Sequence, residues 1–330
     1  EAPRSPGGPR RVIARYPHAM LVALAGGVGA ARFLRGLVRV VPPAEVCVVV
    51  NTADDETFHG LTVCPDLDTV TYTLAGAEHP EQGWGLDGES FRTIEALGRY
   101  GADTWFRLGD LDLATHLFRT ERLRAGATLT EVTAEITAAW GVEPRLLPMS
   151  DDRVATRITV DRGDHHEVLR MQEWFVRERS APPVVAVEFD GADRARPAPG
   201  VLEAIDAAET ILVCPSNPII SIGPILAVPG VREALEARRD RVVAVSPIIA
   251  GATVKGPADR LMGPLGIDVS CVGVARTYAP FCSTLVIDER DAGRAAEVAA
   301  TGIRPVVAET LMTDARVAAA LARHTLDAVA

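Results

Sequence analysis

Aromatic side chains are scarce in this sequence, at 5 % of 330 residues, which argues against stacking platforms for single-stranded nucleic acid. Positive charge is in deficit too: 34 Lys and Arg stand against 44 Asp and Glu, a formal net charge of −10. Polyanion wrapping is thereby excluded, because nucleic-acid binders usually carry a basic stripe. An anionic ligand must instead be captured locally, by backbone amides, a metal ion or a few arginines. No stretch approaches the ~20 apolar residues of a membrane helix, so no membrane partner is expected. The five cysteines form no Cys-x-x-Cys pair, and an odd number is a poor disulfide framework. Most sit in apolar runs such as Val46-Cys47-Val48-Val49-Val50, as small buried hydrophobes, and a reducing cytoplasm is the expected compartment.

What remains is the balance of an ordinary soluble globule, 48 % hydrophobic and 24 % charged, with length for one large or two modest domains. Residues 1–19, rich in Pro, Gly and Arg, mimic a signal peptide ahead of Met20-Leu21-Val22-Ala23-Leu24-Ala25. The mimicry fails because the apolar stretch breaks at Gly26-Gly27-Val28-Gly29 and then meets Arg32. Residues 1–19 are expected to be a disordered extension or a tag, with the fold starting at Met20.

Short apolar runs then alternate with helical patterns, the signature of a Rossmann-like α/β core: a parallel sheet with helices on both faces. Strands are expected at Leu21–Ala25, Val46–Val50, Val184–Phe189, Ile211–Cys214, Val242–Ser246 and Thr284–Ile287. Helices are expected at Ala30–Val40, Pro199–Ala207, Gly230–Arg238 and Ala292–Ala300. The core would comprise residues 20–85 and 181–330. Between them, 86–180 reads as a mainly helical insertion or lid, with Leu117, Leu123, Leu129, Val132 and Ile136 in 3-to-4 spacing. Two polar strand-like stretches, Arg157–Val160 and His166–Met171, follow within it.

Four segments could carry chemistry. Gly26-Gly27-Val28-Gly29, between a strand and a helix start, brings backbone N–H groups and the positive helix end to one point, a phosphate cradle. It is neither a Walker loop nor a complete dinucleotide fingerprint, since Arg32 stands where Gly or Ala belongs. Asn51-Thr52-Ala53-Asp54-Asp55 ends the second strand, at the sheet edge where ligands bind, and Pro65-Asp66-Leu67-Asp68 opens a helix. Their carboxylates, Asp54, Asp55, Asp66 and Asp68, are oxygen-only ligands suited to Mg²⁺; one helix cap explains one Asp well and two less well. Trp105-Phe106-Arg107-Leu108-Gly109-Asp110 offers Arg107 as a bidentate phosphate partner, with Asp112 and His116 reading as a surface pair on a shared helix face. His59 is a possible proton carrier without a visible orienting partner. Pro215-Ser216-Asn217-Pro218 forms a rigid polar loop after a buried strand, suited to a base edge or ribose, or simply a structural turn. Asn217-Pro218-Ile219-Ile220-Ser221 is echoed by Ser246-Pro247-Ile248-Ile249-Ala250: either two loops facing one ligand, or a coincidence of two strand-end turns.

In this order and spacing, these segments resemble the 2-phospho-L-lactate transferase family. The likeness runs from Met20 to Thr310-Leu311-Met312 and includes Leu147-Pro148-Met149-Ser150-Asp151-Asp152 and Ser221-Ile222-Gly223-Pro224-Ile225. Each motif alone is weak; the ordered set is specific. The resemblance implies a step of coenzyme F(420) biosynthesis: transfer of a phospho-acyl unit from a guanosine-diphospho-linked donor to the deazaflavin Fo, releasing GMP. It also implies Mg²⁺ dependence, a homodimer, and contact of Asp68 and Arg107 with Fo. Asp68 and Arg107 are the expected catalytic pair, Gly26, Gly27, Gly29, Ser216 and Asn217 the expected nucleotide side. Two rivals are a non-catalytic nucleotide-sugar-binding regulator and, more weakly, an NAD-dependent oxidoreductase.

Overall fold

The computed structural model describes residues 21–329, so the expectations for 1–19 and Met20 lie outside the described residues. The chain enters through β1 (Leu21–Ala25), α1 (Gly27–Leu37) and β2 (Val46–Val50), followed by a small hairpin of β3 (Glu56–Phe58) and β4 (Leu61–Val63). Helices α2 (Pro65–Ala75), α3 (Arg92–Leu97), α4 (Asp112–Arg124) and α5 (Leu129–Ala139) come next. Then follow β5 (Arg145–Pro148), β6 (Ala155–Asp161), β7 (His166–Arg170) and β8 (Val184–Asp190). The second half runs α6 (Val201–Ala207), β9 (Thr210–Val213), α7 (Ile222–Ala227), α8 (Val231–Ala237) and β10 (Val242–Val245). A minimal hairpin of β11 (Ile248–Ile249) and β12 (Ala252–Thr253) leads to α9 (Ala258–Met262) and α10 (Cys271–Tyr278). The chain closes with β13 (Thr284–Asp288), α11 (Ala295–Ala299), β14 (Arg304–Ala308) and α12 (Ala315–Asp327).

Seven strands form one sheet in the order β14-β13-β10-β9-β1-β2-β5, and every pairing in it is parallel. Because strand side chains alternate, Val22 and Leu24 enter one apolar core with α6–α8 and α10, while Leu21, Ala23 and Ala25 enter another with Phe33, Leu34 and α12. Both faces are therefore covered, which is why β1, β2 and β10 read as unbroken apolar runs. All five cysteines are buried and free. Among the described residues no helix is long and apolar enough to cross a membrane.

The middle of the chain departs from the expected helical insertion. It is helical only as far as Ala139; β5 then returns to the central sheet beside β2. β6, β7 and β8 make a separate antiparallel sheet of three strands. Val184–Phe189 belongs to that small sheet rather than to the parallel core, and it mixes one buried residue with half-buried and exposed ones, a half-solvated strand. The two edge strands β5 and β14 escape sequence patterning for one reason: each is short and includes a proline, which an edge tolerates and a central strand does not.

Candidate active site

Strand order reverses beside β1, with β2 and β5 on one side and β9, β10, β13 and β14 on the other. A crevice opens where the loops after β1 and β9 diverge, the position at which open α/β sheets bind ligands. Those loops are the glycine turn and the Pro215–Ser221 segment, and they touch: the Gly26 N–H donates to Ser216 Oγ at 3.3 Å. A Cβ on Gly29 would lie 2.3 Å from the Pro215 carbonyl oxygen, so only glycine lets α1 dock this closely on the β9 loop. Gly27 holds φ at 72°, the left-handed region that glycine enters freely. Both loops line a cleft of about 640 Å³, as do Ser246, Pro247 and Ile249 of the echoing loop after β10. The echo thus places two similar loops on one cavity.

The carboxylates separate into two groups. Pro65 starts α2 and puts Asp66 and Asp68 in its first turn, yet neither caps that helix. Asp66 instead reaches across to α1, accepting the Gly27 N–H at 2.9 Å through Oδ1. Its Oδ2 accepts from Asn51 Nδ2 at 2.9 Å, and the same amide donates to Asp54 Oδ2 at 3.1 Å. Burial pushes the Asp66 carboxyl up to about 6, against donation from Asn51 and Gly27. Burial, and then the charge of Asp66, raises Asp54 well above the usual carboxylate range. Asp54 Oδ1 is buried without a hydrogen-bond partner. Two buried carboxylates sharing one neutral amide, with one oxygen unspent, leave negative charge that a hard, oxygen-liganded cation would neutralise. The donor set fits Mg²⁺.

Asp68 faces a different partner. Arg119 of α4 grips it with both terminal nitrogens, Nη1 reaching Oδ2 at 3.1 Å. His116 Nδ1 stands 3.7 Å from Asp68 Oδ2, and its Nε2 stands 3.2 Å from Asp112 Oδ2. Tyr72 of α2 donates to Asp112 at 2.6 Å. Burial raises the Asp68 carboxyl, while the charges of Arg119 and His116 pull it back. Asp68, Asp112 and His116 have the proximity of a metal cluster, but the Arg119 guanidinium already supplies the positive charge there. His116 is therefore no surface residue: it and Arg119 are buried while Leu117 and Phe118 of the same helix face solvent. α4 is inverted relative to an ordinary amphipathic helix because its polar face packs on Asp68.

Residues 21–325 match the family described as 2-phospho-L-lactate transferase CofD. The chain belongs to this family. It is 47 % identical to the phosphoenolpyruvate transferase of Streptomyces griseus over 309 residues, 93 % of this chain and 97 % of that protein. It is 41 % identical to the 2-phospho-L-lactate transferase of Methanosarcina acetivorans over 293 residues, 89 % of this chain and 94 % of that one. Membership makes this chain an enzyme of the transferase type. A UPF0052 protein from Bacillus halodurans shares the fold, with a TM-score of 0.59, 16 % identity, and coverage of 93 % of this chain and 98 % of that structure.

Of the residues singled out from the family motifs, the structure brings nearly all to the cleft: Gly26, Gly27, Gly29, Asp54, Asp66, Asp68, Arg107, Ser216 and Asn217. Asp55 is the exception, lining a separate small recess with Glu56 and Arg153. Asp68 lines the cleft yet spends its oxygens on Arg119, so it stands apart from the Asp54–Asp66 pair it was grouped with. Arg107 is more than half exposed at the cleft wall, 3.5 Å from Glu95 and stacked 4.1 Å above the Phe91 ring. The Leu108-Gly109-Asp110 motif steadies that wall, Asp110 accepting the Thr93 N–H at 3.0 Å at the start of α3. His59 is exposed, with φ at 51°, and does not line the cleft. Asn217 lines the cleft, and its Nδ2 is buried without a hydrogen-bond partner. Trp105 and Phe106 also line the cleft, Phe106 stacking on Phe58 at 4.0 Å and Trp105 meeting both edge-on. Sequence reasoning missed Arg119 and the role of Asn51. The Asp112, His116, Arg119 spacing was the available signal, overlooked because leucines at similar spacing drew the helix face the other way.

Proposed function

We propose that this enzyme transfers a phosphoenolpyruvyl or 2-phospholactyl group from a guanosine-diphospho-linked donor to the deazaflavin Fo, a step of coenzyme F(420) biosynthesis that releases GMP. The observation that carries this reading is the convergence, in one cleft, of the glycine turn, the unspent Asp54–Asp66 pair and the Arg119-held Asp68. The cavity has the size of a site for substrates of this class, and its lining combines polar loops with aromatic rings. The glycine turn and the unpartnered Asn217 amide suit a nucleotide diphosphate. The Trp105–Phe106 wall suits a planar ring such as a deazaflavin.

In this reading a ribityl hydroxyl oxygen of Fo forms a bond to the phosphorus bearing the lactyl or enolpyruvyl unit. The bond from that phosphorus to the GMP oxygen breaks. Asp68 accepts a hydrogen bond from the attacking hydroxyl and takes its proton as charge moves onto the phosphoryl group. Arg119 and His116 fix Asp68 in direction, and burial raises its carboxyl toward the role of a proton acceptor, so positioning is built in before substrate arrives. Arg107 orients Fo, and the α1 amides hold the diphosphate oxygens. Asp54 and Asp66 would hold Mg²⁺, which when bound neutralises diphosphate charge. The phospho-acid donors differ by a few atoms, so donor choice is settled by parallel turnover of phosphoenolpyruvate-, 2-phospholactate- and 3-phosphoglycerate-derived substrates. A cytoplasmic homodimer completes the reading, checked by sedimentation. The decisive test is chromatography of Fo fluorescence after incubation with donor and Mg²⁺: a more acidic deazaflavin is expected. Nucleotide binding with no shift for any donor would instead favour the regulator.

A further inference from the structure

The 34 basic residues of this chain are 33 arginines and a single lysine, Lys255. That lysine lies in the loop between β12 and α9 and lines the cleft. Its Nζ donates to the Gln82 backbone carbonyl at 3.2 Å, joining its own loop to the one between α2 and α3. The next residue, Gly83, has φ at 74°, and a Cβ added there would lie 3.7 Å from Lys255 Nζ and 3.4 Å from Arg32 Nη2. Two cationic side chains thus converge on one glycine, beside the first turn of α1. Among the described residues neither has a carboxylate within ion-pair distance, in a chain with ten more acidic than basic side chains. Leaving two like charges together unpaired is unfavourable unless an anion joins them.

We infer that Arg32 and Lys255 form a two-cation subsite for the phosphate-bearing anionic portion of the nucleotide donor, an assignment that rests on the donor proposed above. Arg32, the residue that breaks the dinucleotide fingerprint, approaches from α1, whose N-terminal amides add donors and a positive field. Lys255 approaches from the loop between β12 and α9. A lysine suits this place better than another arginine, because a compact ammonium has three donors to divide between the Gln82 carbonyl and ligand oxygens. Burial and the Arg32 charge both lower the Lys255 ammonium, consistent with a cation waiting for its counter-charge.

Because the chain has one ε-amine, the test is chemically clean. The full chain is treated with limiting pyridoxal 5′-phosphate and borohydride, which converts a lysine amine through an imine to a stable secondary amine, and adducts are located by peptide mass mapping. Lys255 is expected to be modified, and to be protected by inorganic diphosphate and by GDP but not by guanosine. In calorimetry Lys255→Met and Arg32→Met should each weaken GDP at least tenfold, with Lys255→Arg between wild type and Lys255→Met. Circular dichroism checks the fold, and Lys255, being exposed, leaves a folded variant even if Arg32→Met fails. Labelling that saturating GDP leaves unchanged, or a Lys255→Met protein binding GDP within twofold of wild type, overturns the assignment. Fo transfer with an unprotected lysine defeats the subsite alone; GDP protection without transfer defeats the proposed reaction and leaves the subsite standing.

Discussion

Replacing Asp66 by Asn should reveal the charge stored beneath the glycine turn. Burial lifts the Asp66 carboxyl from its ordinary 3.8 to about 6. At ~1.4 kcal/mol per pH unit, ionising it in the fold costs about 3 kcal/mol at pH 7. A raised folded-state pKa means that the native protein holds this proton more tightly than the unfolded chain does. Its contribution is therefore complete below about pH 4 and lost as pH rises toward 6. The Asp66→Asn protein has no such titration, but its new amide would face Asn51 Nδ2, which now donates to Asp66 at 2.9 Å. Loss of that bond costs about 1–3 kcal/mol at every pH. The variant should be the less stable protein by about 1–2 kcal/mol at pH 4 and level with wild type or above it at pH 7, a swing of about 3 kcal/mol. Urea unfolding in a chelator at half-unit pH steps measures it. A stability difference constant to within about 0.5 kcal/mol from pH 4 to 7 would refute the buried-charge argument. Adding Mg²⁺ at a hundred times its dissociation constant should then stabilise wild type by about 3 kcal/mol and leave Asp66→Asn unmoved.

The second group of charges gives a different outcome. Arg119→Met strands the Asp68 carboxylate in a buried place and should cost about 3–5 kcal/mol in urea unfolding, whereas a loss under about 1 kcal/mol would mean that the ion pair is not closed in solution. Asp68→Asn should abolish most transfer to Fo; near-normal turnover removes it from the mechanism. Arg107→Ala, at an exposed position, should leave stability within about 0.5 kcal/mol while raising the KM for Fo, and an unchanged KM would release Arg107 from acceptor binding. Gly29→Ala drives a methyl group into the Pro215 carbonyl and should cost about 1–3 kcal/mol, together with donor affinity. Thermal melts with and without GDP separate the two effects.

The central strands were legible because burial on both faces leaves a plain mark, an unbroken apolar run, closed by Gly26 after β1 and by Asn51 after β2. The glycine turn, Asn51 and the Pro65-Asp66-Leu67-Asp68 segment announced a site for a related reason: special backbone geometry and paired carboxylates at strand ends have few other uses. The chain by itself therefore determined the α/β class, the first half of the crevice and the candidate residues. What only the tertiary structure decided is which of those residues meet. Asp55 and Asp54 are neighbours in sequence, yet only Asp54 reaches the cleft, while Asp66 and Asp68, two apart on one helix, answer to Asn51 and to Arg119. Side-chain direction is set by which helix packs on which, and α4 turns its polar face inward only because Asp68 is there to receive it. Lys255 and Arg32 are more than 200 residues apart, one on a loop and one on α1, and their approach is encoded in no local pattern. Local propensity and burial are written along the chain, but charge pairing across a cleft is a property of the closed fold.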